Sequence, residues 1–129
     1  MPIELKLLPW SILLGLAYVL LAAALVTAKR GVAWNAGNRD APVEPLRGPP
    51  ARAQRASANF LETFPFFAAG VLAVVALGRT SPHTALAAQL YFWARLAYLP
   101  VYVIGIPYLR SIIWVVSLWA ILQMVWALL

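Results

Sequence analysis

Cysteine is absent from this chain of 129 residues, which excludes disulfides, thiolate metal sites and a cysteine nucleophile. Histidine is nearly absent: His83 stands alone beside Ser81 and Pro82, and without a companion it reads as a solvated loop histidine rather than a metal ligand. Charge is scarce too, at 11% of residues, and is confined to a few short zones. With 64% of residues hydrophobic and a mean hydropathy of +0.82, no soluble domain exists on which the net charge of +6 can form a nucleic-acid surface. The composition is that of an integral membrane protein, with anionic lipid headgroups and an anionic small ligand as the expected partners.

Four transmembrane helices are predicted in one membrane domain, 1–129, at 7–28, about 59–77, about 84–106 and 111–129. The first and last are uncharged throughout and, at about 1.5 Å per residue, long enough for a hydrocarbon core of roughly 30 Å. The first lacks the polar cleavage region of a signal peptide and is flanked by Lys29 and Arg30, so it reads as a span. The loop at about 29–58 holds Lys29, Arg30, Arg39, Arg47, Arg52 and Arg55 against Asp40 and Glu44. By the positive-inside rule this loop is cytoplasmic and both termini lie outside. Pro42, Pro45, Pro49 and Pro50 keep its middle irregular, with helix resuming near Ala51. The alanine- and arginine-rich composition and short length fit a bacterial inner membrane.

Two polar stripes carry the functional signal. Arg52, Arg55, Asn59 and Glu62 recur at spacings of three and four ahead of Pro65, which places them on one face of the second helix. Arg95, Tyr98 and Tyr102 form a second stripe on the third helix, with Tyr91 also on it, and Arg110 opens the fourth on the same membrane side. Charges at membrane depth face a protein interior or a water-filled cavity, which makes Glu62 and Arg95 the expected buried pair. Each group alone has an ordinary reading. Arg52 and Arg55 suit lipid headgroups, Asn59 a neighbouring helix, Tyr98 and Tyr102 the interface, and Pro65 a bend.

Together these residues resemble a known family. Arg55-Ala-Ser-Ala-Asn59-Phe-Leu-Glu62 before Pro65 is similar to the second-helix signature of the membrane-associated proteins in eicosanoid and glutathione metabolism, the MAPEG family. Arg95-Leu-Ala-Tyr98-Leu-Pro-Val-Tyr102 is similar to that family's third-helix stretch, and Arg110-Ser111 to the head of its fourth helix.

The resemblance implies an all-α four-helix subunit assembled as a homotrimer, with glutathione bound between subunits and used on lipophilic substrates from the bilayer. It implies glutathione-binding roles for Arg30, Arg55, Asn59, Glu62, Arg95, Tyr98 and Tyr102, and a catalytic role for Arg110 in stabilising the thiolate. The residue types suit this chemistry. A guanidinium grips a carboxylate through two parallel hydrogen bonds, and a nearby guanidinium lowers the pKa of a thiol from its usual value of about 8.5. Trp114 and Ile113 are candidates for the electrophile side. The chain departs from the family pattern at Ala58, where some members carry a further arginine, and at Trp114, where some carry tyrosine. Three functions follow: a glutathione-dependent membrane transferase or peroxidase, a non-enzymatic lipid-binding or scaffold protein of the same fold, and a small transporter.

Overall fold

The computed structural model describes residues 1–129 and contains helices only: α1 (Ile3–Arg30), α2 (Val32–Ala36), α3 (Pro49–Ala76), α4 (Pro82–Ile104) and α5 (Pro107–Leu128). Their ends are set by local chemistry. Lys29 and Arg30 in the last turn of α1 complement its dipole, and Gly31, at φ 94°, turns the chain out of the helix. Prolines stand in the first turns of α3, α4 and α5, where a missing N–H costs nothing. Ser81 caps α4 reciprocally: its hydroxyl accepts from the Thr84 amide at 3.2 Å while its own amide donates to Thr84 Oγ1 at 2.8 Å.

The helices run beyond the apolar stretches. α3 begins at Pro49, so Arg52 and Arg55 stand on regular helix ahead of the hydrophobic segment. α4 passes through Pro100 and ends at Gly105 in the left-handed conformation, and α5 starts at Pro107, which puts Arg110 in its first turn.

α1, α3 and α5 are each long and apolar enough to cross a membrane. α4 is of comparable length but carries Arg95 and Gln89, and it packs against all three. α1 and α5 lie apart, on opposite sides of the α3/α4 pair. Polar side chains can therefore sit on α4 without meeting lipid, while α1 and α5 expose Leu13, Leu16, Leu20, Ile112, Val115 and Leu122 outward.

Two apolar clusters fill the bundle. One joins Phe67, Val71 and Val74 of α3 to Ala88 and Tyr91 of α4 and Met124 of α5, with Phe67 stacked on Tyr91 at 4.0 Å. The other joins Leu14 and Tyr18 of α1 to Ala56 and Phe60 of α3 and Tyr98 of α4. Helix approach is close at Gly15, where an added Cβ would lie 2.6 Å from the Phe60 ring. Inside the bundle, Thr63 and Tyr91 share a hydrogen bond of 3.0 Å, and Tyr18 donates from its hydroxyl to the carbonyl of Arg95.

Candidate functional site

Where the start of α3 meets the end of α4 and the head of α5, Arg52, Arg55, Tyr102 and Arg110 line a cavity of about 320 Å³. Arg52 donates from Nε to the carbonyl of Val103 at 2.9 Å, one of the carbonyls left free at the end of α4. Its guanidinium lies over Gly105, where a Cβ would approach Cζ to 3.3 Å and where φ is 94°. Glycine therefore serves both the helix end and the seat of the arginine. Arg55 donates from Nε to the Tyr102 hydroxyl at 3.0 Å, and Arg110 rests 4.8 Å above the ring of the same tyrosine. No carboxylate lines this cavity. Three guanidinium groups held by backbone and aromatic contacts, with no acid to neutralise them, make a receptor for an anion.

Arg55 is also a wall of a second cavity, about 470 Å³, that it shares with Arg30 and Gln54. Arg30 is anchored there through Nη2 to the carbonyl of Glu44 at 3.1 Å. Arg30 and Arg110 thus lie on different sides of Arg55.

Arg95 behaves differently from the expectation. It is fully buried, and none of its three guanidinium nitrogens has a hydrogen-bond partner. Its charge faces aromatic rings: Tyr98 at 4.2 Å, Phe60 at 5.5 Å and Tyr18 at 5.7 Å. The ion pair expected between Arg95 and Glu62 does not form, because Phe60 and Thr63 occupy the face of α3 turned inward and Glu62 falls on its exposed shoulder. Cation–π contacts replace the carboxylate.

Apart from Arg30 in the second cavity, the predicted site residues divide into three groups. Arg55, Tyr102 and Arg110 meet directly, and Tyr98 joins them edge-on to Tyr102 at 5.5 Å, with its hydroxyl buried and unpartnered. Arg95 lies one layer deeper. Asn59, whose Oδ1 is also buried without a partner, and Glu62 lie along α3 away from the arginine cavity. Glu62 lines a third cavity of about 550 Å³ between α3 and α5, otherwise mainly apolar, with Phe66, Trp114, Leu118 and Val125. Ile113 packs instead beside the second core cluster. Tyr18 was missed by the sequence reading; its signal was a lone tyrosine in an uncharged span, on the helical stripe of Ser11, Leu14, Ala22 and Val26 that α1 buries.

An all-helical bundle with apolar outer faces and an arginine-rich polar cavity at one end defines an integral membrane protein. The MAPEG family model matches residues 7–129, and the chain belongs to this family, whose members act at the membrane in eicosanoid and glutathione metabolism. Neither a curated protein nor a solved structure matches the chain.

Proposed function

We propose that the protein is a glutathione-dependent membrane transferase or peroxidase acting on lipophilic electrophiles or lipid hydroperoxides. The observation that carries this reading is the arginine cavity: Arg52, Arg55 and Arg110 converge around Tyr102 with no carboxylate among them. Glutathione brings two carboxylates and a thiol that must ionise. The residues fit it. Arg55 has its two terminal nitrogens available after Nε is committed to Tyr102, the arrangement needed for a bidentate carboxylate grip. The unpartnered atoms of Tyr98 and Asn59 are acceptors or donors for amide and ammonium groups, and Arg30 supplies a further cation across Arg55.

Arg110 is the group for the sulfur. A guanidinium held on an aromatic face stays protonated, stabilises the thiolate and leaves the thiol proton to water. In a transfer reaction the sulfur forms a bond to the electrophilic carbon and the leaving group departs with its electron pair. With a hydroperoxide the sulfur takes the terminal oxygen, the O–O bond breaks and an alcohol leaves. A second glutathione then closes the disulfide and releases water. The apolar groove beside Glu62 and Trp114 is a place for a lipid tail.

Homotrimeric assembly belongs to the same reading: Glu62 and Arg55 are exposed on the isolated chain, and a carboxylate facing hydrocarbon is costly enough to require cover. The excess of arginine at the site end of the bundle supports a cytoplasmic site with both termini outside, in an inner membrane of bacterial type. Titration calorimetry of glutathione into the detergent-purified protein, followed by assays with an aryl halide and a lipid hydroperoxide, tests the proposal. Binding with turnover is the expected result. Absence of binding at millimolar glutathione overturns it in favour of a non-enzymatic lipid-binding protein, for which the groove is the supporting observation.

A further inference from the structure

Apart from the arginine cavity, a second cluster of cations and aromatic surface forms where the chain folds back after α1. α2 returns along α1, bringing Trp34 within reach of two guanidinium groups, Arg30 at 4.7 Å and Arg39 at 5.1 Å from its ring. Arg39 has a left-handed backbone, φ 62°, and its side chain is pinned. Nε and Nη2 donate to the carbonyl of Asn35, and Nη2 also reaches Asn35 Oδ1 at 2.6 Å. Two donors in the cluster, Trp34 Nε1 and Arg30 Nε, are buried with no acceptor.

Beside them is a cavity of about 280 Å³. Val19, Ala23 and Val26 of α1 form its apolar floor, and Trp34, Arg39 and Gln54 form its polar rim. The acids nearby do not neutralise that rim. Asp40 and Glu44 are exposed, and Glu44 offers Arg30 only its backbone carbonyl. Arg39, the cation on this rim, is pinned to an amide side chain and a carbonyl instead of an acid.

We propose that this cavity binds one anionic glycerophospholipid, its phosphate at Arg39 and an acyl chain along Val19, Ala23 and Val26. Charge complementarity and the two-part lining carry the choice of occupant. A free phosphate would leave the apolar floor without a use, and a choline headgroup would bring a third cation toward Arg30 and Arg39. The site shares no residue with the arginine cavity and shares only Gln54 with the second cavity beside Arg30, so Arg39 and Ala23, which lie in neither, separate it from the glutathione reading.

The test uses the delipidated, detergent-purified protein, with native mass spectrometry of lipid retention and phosphatidylglycerol or phosphatidylcholine of identical acyl chains as probes. Phosphatidylglycerol is expected to be retained roughly fivefold better than phosphatidylcholine, the weight of about one guanidinium at an anionic headgroup. Arg39→Gln is expected to erase that preference. Ala23→Phe, which fills the floor at an exposed position and leaves the charges in place, is expected to reduce retention of both lipids. Equal retention of the two lipids by the parent protein, or an unchanged preference in Arg39→Gln, overturns the proposal. So does unchanged retention in Ala23→Phe, which would place the acyl chain elsewhere. Displacement of the lipid by an equal concentration of glycerol phosphate also overturns it, because the site would then be one for phosphate alone.

Discussion

Arg55 holds Tyr102 by its hydroxyl, at 3.0 Å from Nε, whereas Arg110 lies over the ring of the same residue at 4.8 Å. The two arginines therefore differ in what they can do for a bound thiol peptide. On the proposed reading, Arg55 would hold a carboxylate that keeps its charge throughout the reaction, and Arg110 would meet the charge that develops on sulfur. Arg110→Ala is expected to leave glutathione affinity within a few fold, to raise the apparent pKa of the bound thiol toward that of the free thiol, and to lower turnover by roughly 10²-fold. Titration calorimetry reads the first effect, thiolate absorbance followed against pH the second and steady-state kinetics the third. The sign is fixed by the cation: its removal disfavours the ionised sulfur, so the thiolate appears at higher pH. Arg55→Ala is expected to weaken binding more than turnover. Arg95 is a residue of another kind. Because its partners are rings and Glu62 points elsewhere, Glu62→Ala and Arg95→Met are expected to shift thermal stability additively, within about 0.5 kcal/mol, in a double-mutant cycle. A coupling of several kcal/mol would show that the two charges meet.

Among the elements, α1 meets α3 at Gly15, where an added Cβ would lie 2.6 Å from the Phe60 ring, and that neighbour cannot easily yield. Phe60 is packed against Tyr18 at 4.7 Å and Phe64 at 5.3 Å, with the Arg95 guanidinium over its ring. Gly70 is in the same position: a Cβ there would lie 2.9 Å from Cγ and 3.4 Å from Cβ of the buried Met124, atoms at the root of its side chain that a change of rotamer at the far end does not move. Gly15→Ala and Gly70→Ala are thus each expected to destabilise the detergent-solubilised protein by about 1–3 kcal/mol, as measured by thermal unfolding. The helical class was legible in the sequence, because charge-free runs and three-and-four spacings report on periodicity along a single helix, while the convergence of Arg55, Tyr102 and Arg110 from three helices was legible only through the topology, which brings those helix ends to one membrane face. The pairing of Glu62 with Arg95 was not. Spacing shows that each lies on a polar stripe, but which side of that stripe faces the neighbouring helix depends on Phe60 and Thr63 competing for the interior. Tyr18 was hidden for a similar reason: a single tyrosine in an apolar span gains its meaning only when α4 brings a carbonyl to its hydroxyl. The start of α3 at Pro49 was partly legible, since proline both interrupts a preceding loop and favours the first turn of a helix.

At the scale of the whole molecule, the isolated chain leaves one unresolved electrostatic demand along α3. Glu62 is exposed beside Phe66, itself 67% exposed, in a groove otherwise lined mainly by apolar side chains of α3 and α5. Asn59, one turn away, keeps a buried oxygen without a donor. A carboxylate in hydrocarbon and an unpaired amide oxygen are both unfavourable, and none of the chain's own helices covers the carboxylate or gives the oxygen a donor. A second copy of the chain can cover them only if α3 lies at the contact, and cyclic closure by three copies around α3 hides the stripe on every subunit at once. The assembly is therefore expected to run as a trimer in mild detergent by light scattering or native mass measurement. Phe66→Glu adds a carboxylate beside Glu62, where the three subunits would bring like charges together, and is expected to dissociate the trimer while each chain keeps its helical circular dichroism. A parent protein that is only monomeric or dimeric overturns the trimer. If Phe66→Glu stays trimeric, the contact lies on α1 or α5, and Glu62 must then be neutralised by protonation or by ligand instead of by a neighbouring subunit.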